Sequence, residues 1–244
     1  MRASSNACLL FLGALLTSHS CGSHACGEII ELAKYGFDSG TYGATSLAPG
    51  VSAGAVSVTG YTLGAGDTTG VYYANSSEFR VYFQNTVVGT NNTEALAAEL
   101  PYYFDIVLSP DGDGPLRLST LTLSATGTNT TNSRTFFARY DYTGDDPQNA
   151  FAGPSLLTGL ITTTAWQPFG TSENLSDLPD IMPGEQLTLR FYQYRDITTN
   201  YSGAQNIRYD NILITGTILP EPTSAVLVLL ALAGLAAFRP RRRP

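Results

Sequence analysis

Leu187-Thr188-Leu189-Arg190-Phe191-Tyr192 decides the fold. Leu187, Leu189 and Phe191 alternate with Thr188, Arg190 and Tyr192, a period of two that belongs to a strand with one buried and one polar face. Tyr102, Phe104, Ile106 and Leu108 alternate in the same way with Tyr103, Asp105, Val107 and Ser109. Further strands are predicted over 28–34, 54–63, 79–83, 116–125, 134–142 and 207–218, separated by clusters of Gly, Pro, Asn, Asp and Thr. In Leu116, Leu118, Leu121 and Leu123 the alternation slips by one residue at Ser119-Thr120, as a β-bulge requires. One helix is predicted, over 93–100, with Asn92 or Thr93 as its N-cap and Pro101 beyond its end. Many short strands and almost no helix imply an all-β fold, an antiparallel β-sandwich.

The chemistry open to this domain is bounded by what it lacks. Both histidines, His19 and His24, and all three cysteines, Cys8, Cys21 and Cys26, lie within the first 26 of the 244 residues. A Ser-His-Asp or Cys-His catalytic group and a His/Cys zinc site are therefore excluded from the rest of the chain. No Gly-x-Gly-x-x-Gly or Walker-type loop is present. Residues 26–219 carry 8 basic against 19 acidic residues, a net charge of about −11, which repels nucleic-acid phosphates and anionic lipid. No nucleic-acid partner is expected.

The two ends read as addresses. Arg2 precedes the apolar run Ala7–Leu16 and a small-residue region, the layout of a signal peptide over 1–25, with cleavage sites after Ser20 or Ala25. At the other end, Pro220-Glu221-Pro222 is followed by the apolar run Ala225–Phe238 and by Arg239, Arg241, Arg242 and Arg243. Those 14 apolar residues make a helix of about 21 Å, short of the roughly 30 Å hydrocarbon core. The arginines favour a cytoplasmic end, leaving everything before Pro220 outside.

Proline-Glu-proline (220–222), a hydrophobic helix over 224–238 and a basic tail over 239–244 together resemble the PEP-CTERM sorting signal, over about a tenth of the chain. The resemblance implies export across the inner membrane, a transient membrane anchor, and processing by an exosortase-type protease acting at Pro220, Glu221 and Pro222. The domain between the two addresses, 26–219, is similar to the jelly-roll modules that precede such tails. The similar stretches are Gly36-Phe37-Asp38, Phe137-Ala138-Arg139-Tyr140-Asp141, Leu189-Arg190-Phe191-Tyr192-Gln193-Tyr194 and Arg208-Tyr209-Asp210-Asn211-Ile212-Leu213-Ile214-Thr215-Gly216.

The pleat nominates one binding face. With Leu189 and Phe191 in the core, Arg190, Tyr192, Tyr194 and Asp196 share the opposite face. Phe137, Arg139 and Asp141 share a face of the mid-chain strand, opposite Phe136, Ala138 and Tyr140. Arg139, Asp141, Arg190, Tyr192 and Tyr194 side by side would offer tyrosine platforms for sugar rings and bidentate groups for hydroxyls. The plainer reading is that cross-strand Arg–Asp pairs and tyrosines simply clothe a solvated sheet face.

No cofactor is expected. Asp111-Gly112-Asp113-Gly114 reads as a turn rather than a calcium loop, although Asp38 and Asp210 would meet if the first and last strands paired. The leading expectation is an exported, non-catalytic protein of the cell surface or exopolysaccharide matrix. A carbohydrate-binding module is the alternative, and a secreted glycoside hydrolase using paired carboxylates is the third reading.

Overall fold

The computed structural model describes residues 28–219 except 39, 61, 64–70, 76–77, 84–92, 100, 113, 128–132, 144–149, 172–174 and 195–204. The expected signal peptide (1–25) and sorting segment (220–244), with Pro220, Glu221 and Pro222, lie outside the described residues, as do Asp113 and Asp196. Among the described residues no helix is long and apolar enough to cross a membrane.

Among the described residues, fourteen strands form two sheets. In chain order they are β1 (Ile30–Tyr35), β2 (Ser46–Leu47), β3 (Val51–Ala53), β4 (Ser57–Thr59), β5 (Thr62–Leu63), β6 (Val71–Asn75), β7 (Glu78–Phe83), β8 (Tyr103–Pro110), β9 (Leu116–Gly127), β10 (Arg134–Tyr142), β11 (Leu157–Ile161), β12 (Gln167–Gly170), β13 (Leu187–Tyr194) and β14 (Gln205–Ile218). An α-helix, α1 (Glu94–Glu99), precedes β8, and a 3-10 turn spans Leu175–Asp177. Sheet 1 runs β12-β9-β14-β7-β6-β5, with β1 on the second half of β14 and β2 on β1. Sheet 2 runs β11-β10-β13-β8-β3, with β4 also on β8. Pairing is antiparallel except between β5 and β6, which run parallel.

The alternation read from the sequence is the alternation of burial. Phe104, Ile106 and Leu108 of β8 and Leu187, Leu189 and Phe191 of β13 are fully buried between the sheets. Aromatic rings bind the layers together. Phe104 stacks on Phe191 within sheet 2 (centroids 4.6 Å apart) and meets Phe79 and Tyr209 of sheet 1 edge-on, both at 5.1 Å. The expected bulge is present: Thr215 faces Thr120 and Gly216 faces Leu118, so Ser119 is the extra residue of β9. A second bulge lies on β14, between Asp210 opposite Ser124 and Leu213 opposite Thr122. It is made possible by Asn211 at φ +49°, a conformation asparagine tolerates better than most residues.

Two parts of the chain depart from the sequence reading for local reasons, and the predicted helix is present. The strand expected over 54–63 is two strands, β4 in sheet 2 and β5 in sheet 1. The chain changes sheet at Gly60, whose φ is +78° and where a Cβ would sit 1.8 Å from the Pro101 carbonyl oxygen. β12 carries Pro168 and no apolar alternation, which an edge strand accepts because one side of its backbone pairs with nothing. α1 occupies the predicted helical stretch, and its first bond runs from the Ala97 amide to the Thr93 carbonyl.

Candidate functional site

The outer face of sheet 2 gathers most of the nominated residues. Register sets Arg139, Arg190 and Asp105 in one row across β10, β13 and β8, and Phe137, Tyr192 and Tyr103 in the next. Tyr194 lies opposite Thr135 at one end, and Asp141 opposite Thr188 at the other. The six residue steps from Thr188 to Tyr194 make the face about 20 Å long.

Two arginines directly opposite one another repel, and each is held by its own acid. The Arg190 guanidinium donates two bonds to Asp105, Nε to Oδ1 at 2.8 Å and Nη2 to Oδ2 at 2.9 Å. Burial works against the charge of Arg190, but the bonds to Asp105 outweigh it, so its pKa is raised. Its plane is sandwiched between the rings of Tyr103 (3.6 Å) and Phe151 (3.8 Å). Arg139 donates Nη2–H to Glu94 Oε1 of α1 at 3.0 Å and Nη1–H to the Phe151 carbonyl at 3.1 Å. Ser155 bonds the same Glu94 oxygen. Phe151 is therefore a double clamp, its ring on one arginine and its carbonyl on the other. It does this at φ +57°, a backbone state that costs a bulky residue of the order of 1–3 kcal/mol.

One expectation about this face is corrected. Tyr192 points outward as the pleat requires, but it is only 3% exposed, and Phe137 beside it is fully buried. α1 lies over them. Ala97 is buried with these two rings, which stack 4.9 Å apart, and Tyr103, Tyr194 and Ala98 pack around the cluster. Burial pushes the phenol pKa of Tyr192 up, only partly offset by Arg190. Tyr192 is thus a support rather than a platform. The half-buried rings at the rim are Tyr103, Tyr194 and Phe151.

Asp141 is half-buried on the same face but is not the acid that holds either arginine. The acids that do, Asp105 and Glu94, were not nominated from the sequence. Asp105 was detectable, since it shares the outward set of Tyr103 and Val107. Nothing local marks Glu94, which meets Arg139 across 45 residues.

Among the described residues no group of three or more His, Cys, Asp or Glu side chains converges as a metal site. The first and last strands do pair, Tyr35 facing Ile212. Burial raises the pKa of Asp210, and Asp38 adds to the shift by repulsion.

No family model matches the chain, and no curated protein matches it. Solved structures do. A CBM22-1–GH10 fragment of Clostridium thermocellum endo-1,4-β-D-xylanase 10B, complexed with xylohexaose, is 11% identical with a TM-score of 0.35, over 76% of this chain and 28% of that one. The CBM22-1 xylan-binding domain of a Paenibacillus barcinonensis xylanase is 12% identical with a TM-score of 0.33, over 81% of this chain and 100% of that one. A family 11 carbohydrate-binding module from Clostridium thermocellum, in complex with a β-1,3-1,4-mixed-linked tetrasaccharide, is 9% identical with a TM-score of 0.29, over 79% and 99%. The resemblance is distant, and the chemistry of the face is carried by its own residues.

Proposed function

We propose that this chain is an exported, non-catalytic carbohydrate-binding domain of the cell surface or extracellular matrix, built on a jelly-roll type of sandwich. The observation that carries the proposal is the Arg190 guanidinium on the outer face of sheet 2, fixed by Asp105 and stacked between the half-buried rim rings of Tyr103 and Phe151. Such an array is pre-ordered. Rim rings offer apolar faces to the C–H side of a sugar, and the flanking guanidinium and carboxylate groups can exchange bonds with hydroxyls at little ordering cost. A length of about 20 Å suits an extended oligosaccharide better than a single sugar.

Catalysis is not proposed. Hydrolysis of a glycosidic bond needs one carboxyl group free to act as acid and a second free as base or nucleophile. Of the three carboxylates described at this face, Asp105, Glu94 and Asp141, the first two each hold an arginine, which leaves no pair to divide those roles. The address segments complete the reading: a signal peptide over 1–25 sends the chain across the inner membrane, and the tail over 220–244 anchors it transiently for an exosortase-type protease. An array of neutral and acidic polysaccharides probed with the purified protein tests the binding claim, and incubation with each bound polysaccharide tests the absence of turnover. Retention without release of reducing ends is expected; release of reducing ends makes the protein a hydrolase.

A further inference from the structure

We propose a second saccharide site on the opposite side of the molecule, in a groove of about 450 Å³ across the outer face of sheet 1. The volume lies within the range of small-ligand clefts, roughly 300–1,000 Å³. The groove crosses four neighbouring strands, β12, β9, β14 and β1, a span of about 14 Å. Its walls are Pro168 and Gly170 on one side and Glu31 and Lys34 on the other, with Thr122, Ser124, Asn211 and Leu213 between them.

Three features select the ligand chemistry. Glu31 and Lys34 cancel in charge, so the groove favours a neutral molecule over an anion. The hydroxyls of Thr122 and Ser124 have no hydrogen-bond partner among the described residues, and they stand beside the apolar surfaces of Leu213 and Pro168. Hydroxyl donors and acceptors alternating with small apolar patches match a polyhydroxylated ring. The backbone beneath is committed to the ladders of β9 with β12 and β14, so a peptide strand cannot add there.

The third feature is Trp166, the sole tryptophan, 44% exposed and directly preceding β12. Pro168 and Gly170 are the exposed residues of β12 and line the groove; continuing the alternation of exposure one residue before the strand sets Trp166 beyond the groove's lining on that side, about 7 Å past Pro168. An exposed indole beside a groove of hydroxyls is a stacking platform for a sugar ring. Two sites on opposite faces would let one domain bridge two polysaccharide chains, a matrix cross-linker rather than a single-site adhesin.

The site is independent of the sheet 2 face, and the sole tryptophan separates the two. Full-length protein is titrated with xylohexaose and cellohexaose, with oligogalacturonate as the anionic control, while Trp166 emission is followed. A saturable change with at least one neutral probe, weaker with the anion, is expected. It should persist when Tyr103 and Tyr194 are replaced by alanine, and weaken at least tenfold in Thr122→Val/Ser124→Ala, two small changes at half-exposed positions. No saturable change with either neutral probe overturns the proposal. So does a change that survives Thr122→Val/Ser124→Ala but disappears with the two tyrosines.

Discussion

Replacing Tyr192 by alanine should destabilise the fold even though the residue points away from the main core. Its ring is 3% exposed, stacked on Phe137 at 4.9 Å and meeting Tyr103 edge-on at 5.9 Å. A buried aromatic side chain removes about 150–250 Å² from water, which at 25 cal/mol per Å² gives an upper bound of about 4–6 kcal/mol. Measured truncations of buried aromatics cost about 3–5 kcal/mol. The lid over this site is a six-residue helix that can settle into part of the space, so the lower end, about 3 kcal/mol, is expected. Tyr192→Phe keeps the ring and its stacking on Phe137, so a loss below about 1 kcal/mol is expected. Urea denaturation followed by circular dichroism reads both, and with a slope of about 2 kcal/mol per molar the alanine midpoint falls by about 1.5 M. A loss below about 1 kcal/mol for Tyr192→Ala would mean that α1 does not seal this face, which would leave Tyr192 available to a ligand.

Two further outcomes follow from other parts of the chain. The folded-state pKa of Asp210 is raised from the ordinary carboxylate value of 3.8, chiefly by burial, so the native state holds this proton when the unfolded state has released it. Its contribution is present below the unfolded value and is lost as pH rises through the folded one, so the midpoint advantage of Asp210→Asn over the parent should grow across that window; a constant difference would refute it. Intact-mass measurement of protein recovered from its producing cell should show a chain ending near residue 220, whereas a membrane-embedded chain still carrying Arg243 would refute processing at Pro220-Glu221-Pro222.

The strands with one dry face were legible from the residues alone. β8, β10 and β13 announce themselves because Phe104, Phe136, Leu189 and their neighbours must face the core while Asp105, Arg139 and Arg190 must not. β2, β3 and β5 are two or three residues long, too short for a period to register, and β12 is an edge strand whose Pro168 argues against a strand. At the candidate site the pleat placed Arg139, Arg190, Tyr192 and Tyr194 on the right side. It carried no information on what lies above them. The docking of α1 over Phe137 and Tyr192, and the clamp at Phe151, depend on contacts between segments far apart in sequence, such as Arg139 with Glu94 and Arg190 with Asp105, 85 residues apart. Local periodicity does not encode such contacts.

Binding of polysaccharide by the outer face of sheet 2 is tested most directly by affinity electrophoresis of the protein and its Tyr103→Ala/Tyr194→Ala variant through gels containing the polysaccharide best retained on an array. Both tyrosines are half-buried at the rim, so the variant should remain folded, with an unchanged circular dichroism spectrum. The parent should be retarded, and the folded variant should bind at least tenfold more weakly, about 1.4 kcal/mol. Equal retardation of parent and folded variant would contradict it.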